Sequence, residues 1–292
     1  MNQLRDNLKN LGLSPNHIFQ QVKDAISEDL AGGQDLTSVA TITQSQVSTA
    51  DFTTRASGVV SGLHVVAAVL EYCGVNHYEV LVDEGAKVSA GKVLITAQGN
   101  TQKLLLAERT ALNFLSHLSG ISTLTNQWVS EISGTKCQIR DTRKTTPGFR
   151  ALEKWAVAIG GGVNHRFALY DMIMLKDNHI DFAGGITKAI TMTKEFLKQQ
   201  QLSLPIVVEA RDLDEITEIL KNNGVHRILI DNFNYTDTQK AIDLIGDQCL
   251  TESSGGIDEV TLRHYAECGV NYISCGALTH SVSNMDLSLK AV

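Results

Sequence analysis

The residues best equipped for chemistry in this chain are Arg143, Lys144, His165, Arg166 and Lys176, then the carboxylates Glu209 and Asp231. Two loops of small residues follow, Ser254-Gly255-Gly256 and Ser274-Cys275-Gly276. A lone Arg or Lys is usually a surface charge. Four cations gathered in one place repel one another unless anionic groups join them. Their convergence predicts a ligand carrying several negative charges. Glu209 and Asp231 suit either general acid and base work or a second task. That task is to hold sugar hydroxyls and a magnesium ion while positive charge develops at a sugar carbon. The surrounding cation and phosphate features favour the second, because magnesium usually pairs a few carboxylates with substrate phosphates. The glycine loops offer bare backbone amides for a phosphate.

These residues share a position. From Cys137 onward short apolar runs alternate with helix-like segments, and the runs end at Asp141, Lys176, Glu209, Asp231, Glu252-Ser253-Ser254 and Ser274. Positions 209, 231, 252 and 274 lie 22, 21 and 22 residues apart. That spacing predicts a series of strand–turn–helix units, and the unbroken apolar runs predict strands buried on both faces. No GxGxxG follows the first strand, which disfavours a dinucleotide-binding open sheet. Functional groups at so many strand ends favour a barrel, where those ends meet at one mouth and the last two loops hold phosphate. Only six or seven strands are countable, so the barrel is expected to be incomplete. Glu209 and Asp231, one unit apart, are expected side by side.

The first half reads differently. Ser14-Pro15 predicts a helix start, with serine capping free amides and proline in the first turn; the helix runs to about Leu30. Strands are predicted within Val47–Val60, and a helix over Leu63–Cys73 stopped by Gly74. The stretch from Asp83 to Ile95 resembles half of a lipoyl-type sandwich, but without a lysine at a hairpin tip it reads as structural. A helix over Thr101–His117 carries the apolar stripe Leu104, Leu105, Ala111, Leu112, Leu115 and Leu118, with Glu108 its one polar member. Arg109, Asn113 and His117 form a separate polar stripe, either solvated or turned to a partner or a site.

Net charge is −7, which argues against a nucleic-acid binder but leaves room for a local cationic site. No apolar run is long enough to span a membrane, and no signal-peptide core opens the chain. The five scattered cysteines include no CxxC pair and read as reduced thiols of a cytoplasmic protein, not zinc ligands.

Long motifs then carry a resemblance. Asp141-Thr142-Arg143-Lys144-Thr145-Thr146-Pro147-Gly148, Glu153-Lys154-Trp155-Ala156-Val157, Gly160-Gly161-Gly162-Val163-Asn164-His165-Arg166 and Leu175-Lys176-Asp177-Asn178-His179-Ile180 resemble the quinolinate phosphoribosyltransferase family. So do Glu28-Asp29, Asp35-Leu36-Thr37, Ala107 to Asn113, Ser254-Gly255-Gly256 and Gly276 to Ser281. The order holds along nearly the whole chain. Trp155 stands where a tyrosine is common, and Phe167-Ala168 follows the His-Arg pair, departures that bear on packing.

The resemblance implies an α/β fold of two domains: an α/β sandwich from residues 1–117 with 277–292, and an incomplete α/β barrel from 118–276, of the type II phosphoribosyltransferase kind. It implies a pentosyltransferase that joins quinolinate to phosphoribosyl pyrophosphate, releasing diphosphate and carbon dioxide and forming nicotinate mononucleotide for NAD synthesis. Arg143, Lys144, His165, Arg166 and Arg109 of a partner in a homodimer would bind the quinolinate carboxylates. Lys144 and Lys176 would neutralise phosphoribosyl pyrophosphate. Glu209 and Asp231 would hold the ribose and a Mg2+ ion bound largely through diphosphate. Thr142, Ser254, Gly255, Gly256, Ser274 and Gly276 would complete the substrate site. Two alternatives differ from this. One is a transferase on the same scaffold acting on another acceptor without decarboxylation; the intact DTRKTTPG and NHR motifs argue against it. The other is a non-catalytic barrel that senses a phosphorylated metabolite. It has no use for leaving-group electrostatics, which the Glu209–Asp231 pair with Lys144 and Lys176 would supply.

Overall fold

The computed structural model describes residues 2–292. The chain opens with helices α1 (Asn2–Asn10), α2 (Pro15–Leu30) and α3 (Leu36–Thr41), then β1 (Val47–Thr54), β2 (Gly58–Val59), α4 (Leu63–Tyr72), β3 (His77–Val80), β4 (Lys87–Val88), β5 (Val93–Asn100) and α5 (Thr101–Glu131). The second half runs β6 (Gln138–Arg140), α6 (Arg150–Ile159), β7 (Ile173–Leu175), α7 (Asp177–Ala183), α8 (Ile186–Gln199), β8 (Ile206–Ala210), α9 (Leu213–Leu220), β9 (Arg227–Asp231), α10 (Tyr235–Ile245), β10 (Leu250–Ser254), α11 (Leu262–Glu267), β11 (Tyr272–Ser274), α12 (Ala277–His280) and β12 (Leu287–Ala291).

Two compact units result: residues 1–126, 147–161 and 282–292 form one, and 127–146 with 162–281 the other. The expected partition differs in three places, one of them residues 277–281, expected in the sandwich domain and grouped with the second unit. A boundary at 117/118 falls inside α5, which runs on to Glu131 because Leu118, Ile121 and Trp128 prolong its apolar spacing. Residues 147–161, expected in the barrel, group with the first unit.

The first unit is built on an antiparallel sheet ordered β12-β1-β5-β3. The C-terminal strand completes it, with Ala50 opposite Ala291 and Phe52 opposite Leu289. Helix α4 is buried at nearly every position from Leu63 to Leu70, so it is apolar all round and not amphipathic. Ser14 and Pro15 start α2 as expected, but the serine side chain makes no capping bond. On α5, Leu104, Ala107, Ala111, Leu115 and Leu118 are buried, whereas Leu105 is exposed and lies off the expected stripe. Arg109 and Asn113 are exposed. His117 is committed inside the unit, with Nε2 3.0 Å from Oε1 of the buried Glu153.

The second unit carries six parallel strands ordered β6-β11-β10-β9-β8-β7. Among the described residues no ladder joins β7 back to β6, so the barrel is open there; the outer edge of β6 takes a bridge from Arg140 to Val163. Period-two alternation separates the faces. Ile206, Val208, Ala210, Ile228 and Ile230 pack outward with Ile190, Ile216, Ile219, Ala241 and Ile245 of the surrounding helices. Met174, Val207 and Leu229 form a small apolar cluster of their own. No described helix is long and apolar enough to cross a membrane.

Close helix packing in the first unit is specified by Gly160. A Cβ there would lie 2.6 Å from the Ser122 carbonyl oxygen and 2.6 Å from Thr125 Cβ, both on α5. Gly160→Ala is expected to lower the unfolding free energy by about 1–3 kcal/mol, the usual cost of overpacking, measured by denaturant unfolding.

Candidate active site

The carboxyl ends of the parallel strands surround a cavity of about 780 Å³. Its lining includes Thr142, Arg143, Lys144, His165, Arg166, Lys176, Asp231, Ser254, Gly255, Gly256, Ser274 and Gly276. Twelve of the fourteen candidate residues therefore meet in one place. Glu209 stands behind the lining, and Arg109 belongs to the first unit and does not line the cavity.

Strand register explains the position of Glu209. It pairs with Leu229, whereas Asp231 pairs with Ser254. Glu209 thus lies two residues deeper in the sheet than Asp231, so the two carboxylates are staggered and not level as expected. The 22-residue spacing counts residues between units; the ladder decides depth. Glu209 is buried and already engaged: Lys176 Nζ donates to Oε2 at 3.3 Å and the Asp177 amide to Oε1 at 3.3 Å. Lys176 keeps about half its side chain exposed toward the cavity. Asp231 is half-buried and accepts from Asn232 Nδ2 at 2.6 Å.

The cations are arranged for an anion. Arg143 and Arg166 lie close enough that the charge of Arg143, after burial itself, pushes the Arg166 pKa down. Arg143 Nε is buried with no hydrogen-bond partner among the described residues. Buried guanidinium donors prefer a bidentate carboxylate or phosphate. Arg166 Nη1 donates to the Met172 carbonyl at 3.2 Å, which fixes the side chain's direction.

The loop after β10 is made for close backbone approach. Gly255 has φ +98° and Gly256 φ +61°, conformations that L side chains rarely adopt. A Cβ on Gly255 would meet the Asn232 backbone nitrogen at 2.8 Å. Asn232 is itself left-handed at φ +58°, and its amide donates to the Ser254 carbonyl at 2.9 Å. On the last loop, Gly276 lets the Lys144 stem cross, since a Cβ would come within 2.9 Å of Lys144 Cδ. Thr279 Oγ1 then donates to the Lys144 carbonyl at 2.8 Å.

Sequence reasoning missed the residues beneath the mouth. Glu252 is fully buried and also lines the cavity floor. Arg227 Nη1 donates to its Oε2 at 2.5 Å, Arg140 Nη1 stands 3.5 Å from the same oxygen, and Ser274 Oγ donates to Oε1. Tyr272 lies under both guanidiniums, 3.6 Å from Arg140 and 5.1 Å from Arg227. His165 Nε2 is 3.3 Å from Oε1. Burial raises the pKa of Glu252, but His165, Arg227 and the Ser274 hydroxyl together outweigh it and hold the carboxyl below its ordinary value. One signal was available: Arg227 and Glu252 interrupt otherwise buried strands on the same alternation phase, since Arg227 pairs with Leu250 and Glu252 with Leu229. Asp141, taken only as a strand end, is fully buried and accepts the His165 amide at 2.7 Å.

Sequence models described as "Quinolinate phosphoribosyl transferase, N-terminal domain" and the corresponding C-terminal domain match residues 35–119 and 121–290. A relative from Mycobacterium leprae, "Nicotinate-nucleotide pyrophosphorylase [carboxylating]", is 42% identical over 92% of this chain and 95% of its own length. A Nicotiana glauca relative, "Quinolinate phosphoribosyltransferase [decarboxylating] 2, mitochondrial", is 38% identical over 91% of this chain and 80% of its own. The crystal structure of a nicotinate-nucleotide pyrophosphorylase from Ehrlichia chaffeensis superposes with a TM-score of 0.88 at 36% identity, covering 94% of this chain and 98% of that one.

The buried carboxylate makes a pH prediction. Its folded pKa lies below its unfolded value, so its contribution is complete above the ordinary 4.5 and is lost as pH falls through the lower folded value. Glu252→Gln is expected to cost about 3–5 kcal/mol of unfolding free energy at neutral pH, because Arg227 loses its counter-charge. The gap to wild type should narrow in acid, which denaturant unfolding at a series of pH values measures.

Proposed function

This chain belongs to the quinolinate phosphoribosyltransferase family, and on that premise we infer that it transfers the phosphoribosyl group of phosphoribosyl pyrophosphate to quinolinate with decarboxylation, a step of de novo NAD synthesis. The observation that carries this reading is the meeting of Arg143, Lys144, Arg166 and Lys176 around one cavity together with the glycine loop at Gly255-Gly256. Two adjacent carboxylates and a phosphorylated sugar offset those charges.

The residues divide the work. Arg143 and Arg166 take the quinolinate carboxylates, whose planar forks match guanidinium donors. Lys144 and Lys176 neutralise the diphosphate. The amides of Gly255, Gly256 and Gly276 take the 5′-phosphate, with Ser254, Ser274 and Thr142 as hydroxyl donors. Asp231 faces the ribose. Glu209 acts from below by holding Lys176 in place. Quinolinate's ring nitrogen attacks the anomeric carbon as its bond to diphosphate breaks, and the diphosphate leaves with the electron pair. Positive charge developing on the sugar is stabilised by Asp231 in a site already arranged for it. The ring nitrogen is now cationic. Its positive charge stabilises the electron pair left on carbon 2 when the carbon–carbon bond to that carboxylate breaks and carbon dioxide departs. Carbon 2 takes up a proton.

Magnesium fits these residues as a companion of the diphosphate. No three His, Cys, Asp or Glu side chains form a cage among the described residues, and Glu209 is already engaged by Lys176. Asp231 would help hold the ion, and magnesium, when bound, would supply charge neutralisation to the leaving group.

We further propose a homodimer in which Arg109 of one chain completes the barrel of the other. Arg109 is exposed on α5 in the family's ERTALN motif. We place the reaction in the cytoplasm, where five unpaired thiols are at home.

Purified protein with phosphoribosyl pyrophosphate and magnesium should form nicotinate mononucleotide and carbon dioxide from quinolinate. Nicotinate, which leaves one cationic subsite without its partner, should turn over poorly; comparable turnover would sink the assignment. Arg109→Ala and Arg166→Ala chains, each inactive alone, should regain roughly a quarter of wild-type activity when dissociated and remixed. Random pairing makes roughly half the dimers mixed, each with one intact site. No recovery, once subunit exchange is confirmed, rules out the shared site.

A further inference from the structure

We propose that Asp171 is a positioning residue that aims Arg166 into the cavity: its carboxylate closes the turn after Arg166 and ties that turn to the start of β7. The proposal rests on the quinolinate reading of the cavity and adds a residue that acts from behind it.

The turn after Arg166 carries few buried side chains. Between Arg166 and β7 the chain runs through Phe167, Ala168, Leu169 and Tyr170 without helix or strand. Phe167 is 43%, Leu169 69% and Tyr170 72% exposed, so apolar packing within the chain covers little of the turn. Asp171 supplies polar ties instead. Its Oδ2 accepts the Phe167 amide at 2.6 Å, and its Oδ1 accepts the Ala168 amide at 2.9 Å. Both oxygens of one carboxylate thus gather the two residues directly after Arg166. Short acidic side chains fix irregular backbone in this way, by giving its amides an acceptor. The anchor itself is firm. Ile173, two residues on, lies opposite Ile206 in the parallel sheet, and its amide donates to the Pro205 carbonyl at 3.1 Å.

The far end of Arg166 is held at the same place. Its Nη1 donates to the carbonyl of Met172, the residue after Asp171, at 3.2 Å. The main chain beyond Arg166 and its guanidinium are therefore both referred to residues 171 and 172. Charge adds a second link. Burial, and then the charge of Arg143, push the Arg166 pKa down, and Asp171 is the group that opposes them. In return, burial would raise the Asp171 pKa, but the amides of Ala168, Phe167 and Asp171 itself and the charge of Arg166 outweigh it. The carboxylate therefore stays ionised at neutral pH, as a good acceptor for both amides. Without it, Arg166 keeps its type and its bond to Met172 but loses the fixed turn that sets where its side chain starts. A small displacement of a binding group is enough to weaken it.

The test uses titration of the whole protein with each substrate. Asp171→Ala should raise the Kd for quinolinate about tenfold or more, leave that for phosphoribosyl pyrophosphate within about threefold, and change kcat less than KM for quinolinate, the pattern of a misplaced binding group. Asp171→Asn keeps the shape and one acceptor oxygen, should lose less, and carries the same comparison if the Ala chain does not fold. A residue that acts through Arg166 has nothing to act on when Arg166 is gone. Asp171→Ala added to Arg166→Ala should therefore change the quinolinate Kd by less than about twofold, a non-additive cycle. Unchanged quinolinate affinity in Asp171→Ala, equal losses for both substrates, or a full further loss in the Arg166→Ala background each overturn the proposal. A second measurement needs no substrate. The Phe167 and Ala168 amides should exchange with solvent about tenfold or more faster in Asp171→Ala than in wild type, while the Ile173 amide keeps its rate. Rates equal in the two proteins overturn the tie. Failure of wild-type protein to bind quinolinate would instead defeat the functional reading, with the exchange result still deciding whether Asp171 holds the turn.

Discussion

Glu252 is a carboxylate taken wholly out of water inside the barrel. Removing such a charge from solvent costs several kcal/mol, and only close counter-charges and hydrogen bonds offset that cost. Those partners come from three other strands and the loop after α6: Arg227 on β9, Arg140 on β6, Ser274 on β11 and His165. One buried group thus constrains the relative positions of β6, β9, β10 and β11. It also ties down the segment that presents Arg166. The arginines share the face of Tyr272 beneath them, so the interior of this barrel is a polar plug capped by the cavity.

The cavity inherits the character of that plug. Arg140 and Arg227 lie below, Arg143 and Arg166 above, and the carboxylates facing them are Glu252, Glu209 and Asp231. Two of those three are already committed to protein cations. An acidic chain of net charge −7 can therefore hold a strongly anion-seeking site, because field strength is set by the nearest fixed charges inside low-dielectric walls and not by the total. Burial and then the charge of Arg143 hold the Arg166 pKa down, and a bound anion would oppose that repulsion.

Much of this was legible in the residues. The regular spacing from Glu209 to Ser274 located the strands, the long motifs identified the family, and the cations at strand ends were recognised as one site. The glycine pair at 255 and 256 was also readable, and the structure adds why no side chain fits at Gly255: the Asn232 backbone occupies the space.

Other features lay beyond a one-dimensional reading. Hydrophobic periodicity is a local property, so it located helices and strands wherever one face is buried. It did not locate the end of α5, because the helix runs on past His117 through Gly120 to Glu131, where tertiary packing overrides the low helix propensity of glycine. Spacing between repeated units also says nothing about ladder register. Only hydrogen-bond pairing puts Glu209 opposite Leu229 and Asp231 opposite Ser254, and so separates their depths. The partners of Glu252 are scattered over more than a hundred residues of chain, from Arg140 to Ser274, and each looks like an isolated polar residue in its own segment. The sequence by itself determined the strand series, the family and the cationic character of the mouth, because these depend on residue type and local period. Tertiary structure alone decided which charges neutralise which, because Coulomb interaction and hydrogen bonding depend on distances that chain separation does not encode.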